Sequence, residues 1–186
     1  MFTSYDVNDG ILTFHGIERL SLPRSCACGQ SFRWRVDGDG FTAPAWGRMI
    51  HAEQDEAASE LRLSPCAPED AALWIKYFDL DRDYASLEAK LQVDPDLSPC
   101  VPCATGIRVF TQEPFETLIT FIISANNNIK RIAGIVERLC VKAGEKTFFR
   151  GCEYSLFPTP QAVATLSVDE LTALGAGYRA PFIKKS

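Results

Sequence analysis

Three consecutive asparagines, Asn126, Asn127 and Asn128, precede two cations, Lys130 and Arg131, in the stretch SANNNIKR. A carboxamide donates and accepts hydrogen bonds, whereas a guanidinium only donates. Grouped at one point, these are the functional groups that read the edge of a nucleobase. The same triplet also suits a plain turn between two core helices, because Asn tolerates left-handed backbone and caps helices well. A second chemistry-bearing stretch lies at LGAGYRA, residues 174–180, where Tyr178 and Arg179 follow two glycines. Those two side chains suit core packing and a solvated charge as well as a ligand. A third is Gly29, which opens GQSFRW. Glycine lets backbone approach a ligand without a Cβ in the way, and it also permits a turn.

The elements that must position these residues follow from patterning. Residues 10–16, GILTFHG, alternate as a strand does, and so does Ser31 to Arg35, with Phe32 and Trp34 on one face. Asp37-Gly38-Asp39-Gly40 marks a turn, and Glu60 to Leu63 a further short strand. Pro68 opens a helix whose apolar positions are Ala71, Ala72, Trp74, Ile75 and Phe78, and Tyr84 to Leu91 forms another. The proline-rich segment 94–103 is the expected boundary between a sheet domain, 1–105, and a helical one, 106–186. In the latter, Pro114 starts a buried helix through Leu118, Ile119, Phe121, Ile122 and Ile123 to about Ala125. Asn128 caps the next helix, whose apolar positions are Ile129, Ile132, Ile135, Val136 and Leu139 and which closes at Gly144. Thr159-Pro160 opens a short helix, Ser167 and Glu170 form a capping box, and Gly175 ends that helix. The last residues, to Lys184, Lys185 and Ser186, read as the opening of a helix cut short.

Composition sets the class. The 186 residues are 46% apolar and 23% charged, enough to bury a core. No apolar run approaches a membrane span, and the N-terminus has neither a basic start nor an apolar signal core. A soluble, intracellular protein is expected, acting as a monomer. The net charge of −5 divides unevenly, −8 over residues 1–105 and +3 over residues 106–186. A basic face localised to the second half would suit a polyanionic partner. The seven cysteines, an odd count at irregular spacing, argue against a disulfide framework. Cys100 and Cys103 have ligand spacing but lack a second pair, and Cys26 and Cys28 are too close for the usual zinc pattern. No metal and no cofactor are expected.

Three stretches together resemble one family. Gly29-Gln30-Ser31-Phe32-Arg33-Trp34 resembles the GQSFRW signature of 8-oxoguanine DNA glycosylases. Ser124 to Arg131 resembles their Asn-triplet loop, with the match continuing through IAGIVERLC to Cys140. LGAGYRA resembles the wedge segment of the wider helix-hairpin-helix glycosylase superfamily. The order and spacing agree from the first strand to residue 183. The resemblance implies an α+β architecture: a TATA-binding-protein-like antiparallel sheet domain followed by the first helices of a helix-hairpin-helix glycosylase domain. It implies excision of oxidised guanine opposite cytosine in double-stranded DNA, then strand nicking at the abasic site.

By the same resemblance each matched residue acquires a role. A base inside a duplex is reached only by flipping it out, at a cost of a few kcal/mol. Tyr178 would be the wedge beside the vacated position, where an aromatic ring offsets lost stacking by roughly 1–3 kcal/mol per base. Asn126 and Arg131, with Arg179 alongside, would read the estranged cytosine, whose O2 and N3 accept and whose N4 donates. Gly29 would recognise the lesion. Guanine presents an acceptor at N7, and its 8-oxo form carries hydrogen there, so a backbone carbonyl nearby favours the damaged base.

The family's nucleophilic lysine and assisting aspartate lie beyond the wedge segment, past the end of this sequence. Lys184 and Lys185 do not match that motif and are expected to be solvated charges. These 186 residues alone are therefore expected to be catalytically inactive. Two other readings stay open: an alkylated-base DNA glycosylase of the same superfamily, and a non-catalytic damaged-DNA-binding fragment. The expected compartment is the cytoplasm and nucleoid of a bacterium or the nucleus of a eukaryote.

Overall fold

The computed structural model describes residues 2–186. They pack as two units: residues 2–42 with 50–111, and residues 43–49 with 112–186. The proline-rich segment 94–103 lies inside the first.

Six antiparallel strands form a sheet in the order β1-β2-β6-β5-β4-β3. These are β1 (Ser4–Asn8), β2 (Ile11–His15), β3 (Arg35–Asp37), β4 (Gly40–Ala45), β5 (Arg48–Asp55) and β6 (Glu60–Ser64). Alternation places Leu12 and Phe14 of β2 on the covered face, opposite Leu63 and Leu61 of β6, and all four are fully buried. Such cross-strand apolar pairs set register, because a one-residue slip would turn the whole set to solvent. The β1–β2 loop is two residues, Asp9 at φ +51° and Gly10 at φ +78°, the geometry that matches strand twist. Pro68 starts a tight turn that runs into α2 (Ala71–Tyr77). This helix contributes Trp74 and Tyr77 to an aromatic core completed by Trp34, Phe78 and Phe110. Trp34 donates Nε1–H to the Tyr77 hydroxyl at 3.0 Å. Asp83 caps α3 (Tyr84–Val93) by accepting from the Ser86 amide.

One expectation for this unit needs correcting. Ser31 to Trp34 is not a strand; extended pairing begins only at Arg35. Its alternation is real but inverted, since Ser31 and Arg33 are buried while Phe32 and Trp34 are half-exposed. The segment is held by side chains rather than by a ladder, which is why a period of two misleads there. A short helix, α1 (Leu22–Ala27), precedes it without an amphipathic repeat to announce it.

The second unit pairs α5 (Pro114–Ser124) with α6 (Ile129–Ala143), α4 (Val101–Ala104) being the last helix of the first. The run expected to be buried along α5 is amphipathic. Ile119, Thr120 and Ile123 lie inside, whereas Phe121 is 75% and Leu118 45% exposed. A 3.6-residue period separates those sets even when every residue is apolar. Ile129 of α6 is likewise exposed, and Ile132, Ile135, Val136 and Leu139 form the buried face. Gly144 ends α6 in extended backbone rather than a left-handed cap. Its missing Cβ is what counts, because one built there would stand 2.6 Å from the Cys140 carbonyl oxygen and closer still to that of Leu156. The second half is not wholly helical: β7 (Lys146–Phe149) and β8 (Cys152–Ser155) form a hairpin around Arg150 and Gly151, both at positive φ. The chain then forms α7 (Pro160–Thr165), capped by Thr159, and α8 (Val168–Leu171), with the Ser167–Glu170 capping box in place. It closes with α9 (Ala180–Lys185). Lys184 is no free charge, since its ammonium donates to the Ala164 and Leu166 carbonyls at 2.5 and 2.8 Å.

His15 yields a test of the sheet's outer edge. Its Nε2 lies 2.6 Å from Asp6 and its Nδ1 3.1 Å from Glu60, its cross-strand partner. The hydrogen bond to Asp6, with help from Glu60 and against partial desolvation, raises its pKa above 6.5. A raised folded-state value means that the stabilisation is complete below the unfolded value and disappears as pH rises through the folded one. An NMR titration should place the imidazole midpoint above 6.5. The stability advantage over His15→Gln should be present in mild acid and fade with rising pH; an advantage growing with pH contradicts the assignment.

Candidate functional site

The asparagine turn of the second unit divides its labour. Asn127 donates from Nδ2 to the Ile123 carbonyl at 3.1 Å, closing the carbonyl end of α5. Its Oδ1 accepts from the Asn128 amide at 3.0 Å. Asn128 accepts at Oδ1 from the Arg131 amide at 3.0 Å and so caps α6. Both side chains thus satisfy backbone groups that a helix terminus leaves unpaired. Asn126 does neither. It sits at φ +49° with its side chain exposed, and its carboxamide makes no hydrogen bond among the described residues. The helix-end roles of the triplet therefore fall on Asn127 and Asn128 and not on Asn126.

The segment expected to wedge packs on this turn. After α8 the chain makes a wide turn, Thr172–Ala176, in which Gly175 adopts φ +100° and breaks the helix. Arg138 of α6 holds that bend by donating Nε–H to the Leu174 carbonyl at 2.8 Å. Glycine is favoured here by conformation, since φ +100° strains any side chain; a Cβ would stand 2.7 Å from the flexible end of Arg138, which can move aside. The tight turn Gly177–Arg179 follows. Tyr178 is 60% exposed and donates its hydroxyl to the Ala125 carbonyl at 3.3 Å.

Arg179 is buried, not solvated. Its Nε donates to the Ala125 carbonyl at 2.8 Å, and Nη2 donates to the same carbonyl and, at 3.0 Å, to that of Asn126. A further bond runs from Nη1 to the Ala176 carbonyl at 3.4 Å. The guanidinium lies 4.4 Å from the centre of the Tyr178 ring, within cation–π range. Asn126, Tyr178 and Arg179 are thereby brought to one place. Arg131, in the first turn of α6, exposes its side chain.

Gly29 belongs to the first unit. It is half-buried at φ +87°, directly after the C-cap of α1 at Cys28. Burial pushes the neighbouring Cys26 thiol up well beyond the ordinary cysteine range, with a smaller contribution from Cys28, which favours the protonated form. Among the described residues no disulfide joins any of the seven cysteines.

Sequence reasoning missed Arg108 and Arg138. Arg108 is fully buried and donates to the Asp79 and Glu18 carbonyls at 2.6 Å each, with its guanidinium 4.5 Å from the Tyr84 ring centre. An arginine whose partners are backbone carbonyls leaves no carboxylate to find at helical or strand spacing.

A profile described as 8-oxoguanine DNA glycosylase, N-terminal domain, matches residues 14–118. The N-glycosylase/DNA lyase of Saccharomyces cerevisiae is 33% identical over 179 residues, covering 88% of this chain and 48% of its own length. The Arabidopsis thaliana N-glycosylase/DNA lyase is 29% identical over 170 residues, covering 88% and 47%. Among solved structures, the 8-oxoguanine glycosylase/lyase of Clostridium acetobutylicum, bound to double-stranded DNA with cytosine opposite 8-oxoguanine, superposes with a TM-score of 0.93. It is 30% identical and covers 98% of this chain and 63% of that one. The chain spans about half the length of the curated relatives it matches.

The division of labour in the asparagine turn predicts unequal costs. Asn128→Ala should destabilise the protein by about 1 kcal/mol through loss of the helix cap. Asn126→Gly, which keeps the left-handed backbone, should change stability by less than about 0.5 kcal/mol. Chemical denaturation of the two variants measures both; equal losses contradict the assignment.

Proposed function

Because the chain belongs to the 8-oxoguanine DNA glycosylase family, we propose that it serves base-excision repair as part of a bifunctional 8-oxoguanine DNA N-glycosylase and AP lyase. In this reading it binds double-stranded DNA as a monomer, flips oxidised guanine out and engages the cytosine left behind. The observation that carries it is Asn126: exposed, in a left-handed turn, its carboxamide without a hydrogen bond among the described residues, and set beside an exposed tyrosine. Its two neighbours in sequence do the structural work.

The roles follow from the chemistry. Tyr178 stacks into the space the lesion vacates. Asn126 offers a carboxamide to the donor and acceptor edge of cytosine, and Arg131 offers donors to its O2 and N3. Arg179 supports both by holding the backbone of Ala125 and Asn126 and the ring of Tyr178. Direct contact between Arg179 and cytosine requires the guanidinium to give up some of those carbonyls. The Gly29 carbonyl accepts from N7–H of the oxidised base and disfavours guanine, whose N7 is itself an acceptor. Among the described residues no helix is long and apolar enough to cross a membrane. We place the protein with the DNA inside the cell, in the nucleoid of a bacterium or the nucleus of a eukaryote.

Neither terminal lysine takes the place of a nucleophile in this scheme. Lys184 is taken up by carbonyls at the end of α7, and Lys185 does not match the family's lysine motif. Borohydride treatment of the 186-residue chain on an 8-oxoguanine duplex should trap no covalent adduct, and an adduct would refute catalytic inactivity. Asn126→Ala should weaken the preference for cytosine over adenine opposite the lesion by on the order of tenfold, the low end for one bidentate pair. Competition binding with the two duplexes reads it, and an unchanged ratio removes Asn126 from the site.

A further inference from the structure

Gln30, the residue after the proposed lesion reader, is committed through every part of its amide. Nε2 donates to the Ser25 carbonyl at 2.9 Å and to the Arg108 carbonyl at 2.8 Å. Oε1 accepts from the Phe110 amide at 2.8 Å. One side chain therefore ties the loop after α1 to two points 78 and 80 residues further along. The receiving segment is itself anchored. The Arg108 amide donates to Ser25 Oγ at 3.1 Å, Ser25 Oγ donates to the Gly106 carbonyl at 3.2 Å, and the Arg108 guanidinium is buried on the Asp79 and Glu18 carbonyls. On its other side, Gly29 follows a helix end closed by the Cys28 amide on the Arg24 carbonyl. Gly29 at φ +87° is thus a flexible residue held between two fixed ends.

We infer that Gln30 is a positioning residue: its amide fixes the Gly29 peptide so that the carbonyl can tell oxidised guanine from guanine. The inference rests on the reading of Gly29 under Proposed function and adds the residue that makes it selective. Discrimination between an N7–H donor and an N7 acceptor depends on where one oxygen sits, with a tolerance of about 0.5 Å. Glycine has the widest backbone freedom of any residue and cannot hold that position alone. Neither length nor polarity suffices in Gln30, because the pattern is two donations and one acceptance. Glutamate would keep the acceptor for Phe110 and set a carboxylate against two carbonyl oxygens. Methionine would keep the length and lose all three bonds.

The test is competition binding of the 186-residue chain to two duplexes differing only in 8-oxoguanine or guanine opposite cytosine. Wild type, Gln30→Met and Gln30→Glu are compared, with hydrogen exchange at the Phe110 amide as a structural control. Wild type should prefer the lesion. Both variants should lose that preference by about tenfold or more, the scale for a misplaced buried hydrogen-bonding group. Affinity for the undamaged duplex should not fall, whereas a merely destabilised fold would lower it. The Phe110 amide should exchange faster in Gln30→Met and stay protected in Gln30→Glu. Either variant retaining wild-type lesion preference overturns the role of Gln30 and leaves Gly29 standing. A wild-type chain that binds both duplexes equally overturns the reading of Gly29, and this inference with it.

Discussion

The candidate site of the second unit depends on a buried guanidinium spent on main-chain carbonyls. Arg179 bonds the carbonyls of Ala125, Asn126 and Ala176 and lies against the Tyr178 ring. Helix ends present carbonyls that need donors, and a buried carbonyl left unpaired costs roughly 1–3 kcal/mol. The turn between α5 and α6 is such an end, with Asn126 in a left-handed conformation that most residues avoid. Arginine supplies several donors in a fixed fork, so one residue satisfies all three carbonyls. What remains at the surface is a carboxamide and a phenol on a rigid footing. Rigidity of this kind lowers the entropy lost when a ligand is engaged.

The first unit uses the same device. Arg108, fully buried, bonds the carbonyls of Asp79 and Glu18, and burial draws its pKa downward against the pull of Tyr84 and Asp79. Its own main chain is bonded by Ser25 and Gln30. In each unit, then, an arginine on carbonyls organises backbone beside a glycine or asparagine at positive φ. The residues proposed to meet DNA are the permissive ones, and the arginines beneath them are buried and bonded to main-chain carbonyls. Function is carried by loops, and precision by the scaffold under them.

Much of this was legible in the sequence, for identifiable reasons. β2 and β6 alternate because one face of the sheet is covered, and the caps at Thr159, Ser167 and Asn128 announced helices by local chemistry alone. The segment Ser31 to Trp34 was misread because its alternation comes from side-chain anchoring of irregular backbone. The β7–β8 hairpin was missed because Arg150-Gly151 is a weaker turn signal than the Asp-Gly pairs upstream. Within the site, residue type alone could not show which asparagine is free. That depended on which carbonyl and which amide stood nearby, knowledge that only the folded chain supplies. Arg179, readable as a solvated charge or a base reader, emerged as the support for both neighbours for the same reason.

The central claim is that one asparagine of three meets the nucleic acid while the others hold helix ends. The most direct measurement is an NMR titration of side-chain amide resonances with a duplex carrying 8-oxoguanine opposite cytosine. The account predicts that the Asn126 amide pair shifts on binding, while those of Asn127 and Asn128 stay where they are in the free protein. Movement of Asn127 and Asn128 with a stationary Asn126 would contradict it.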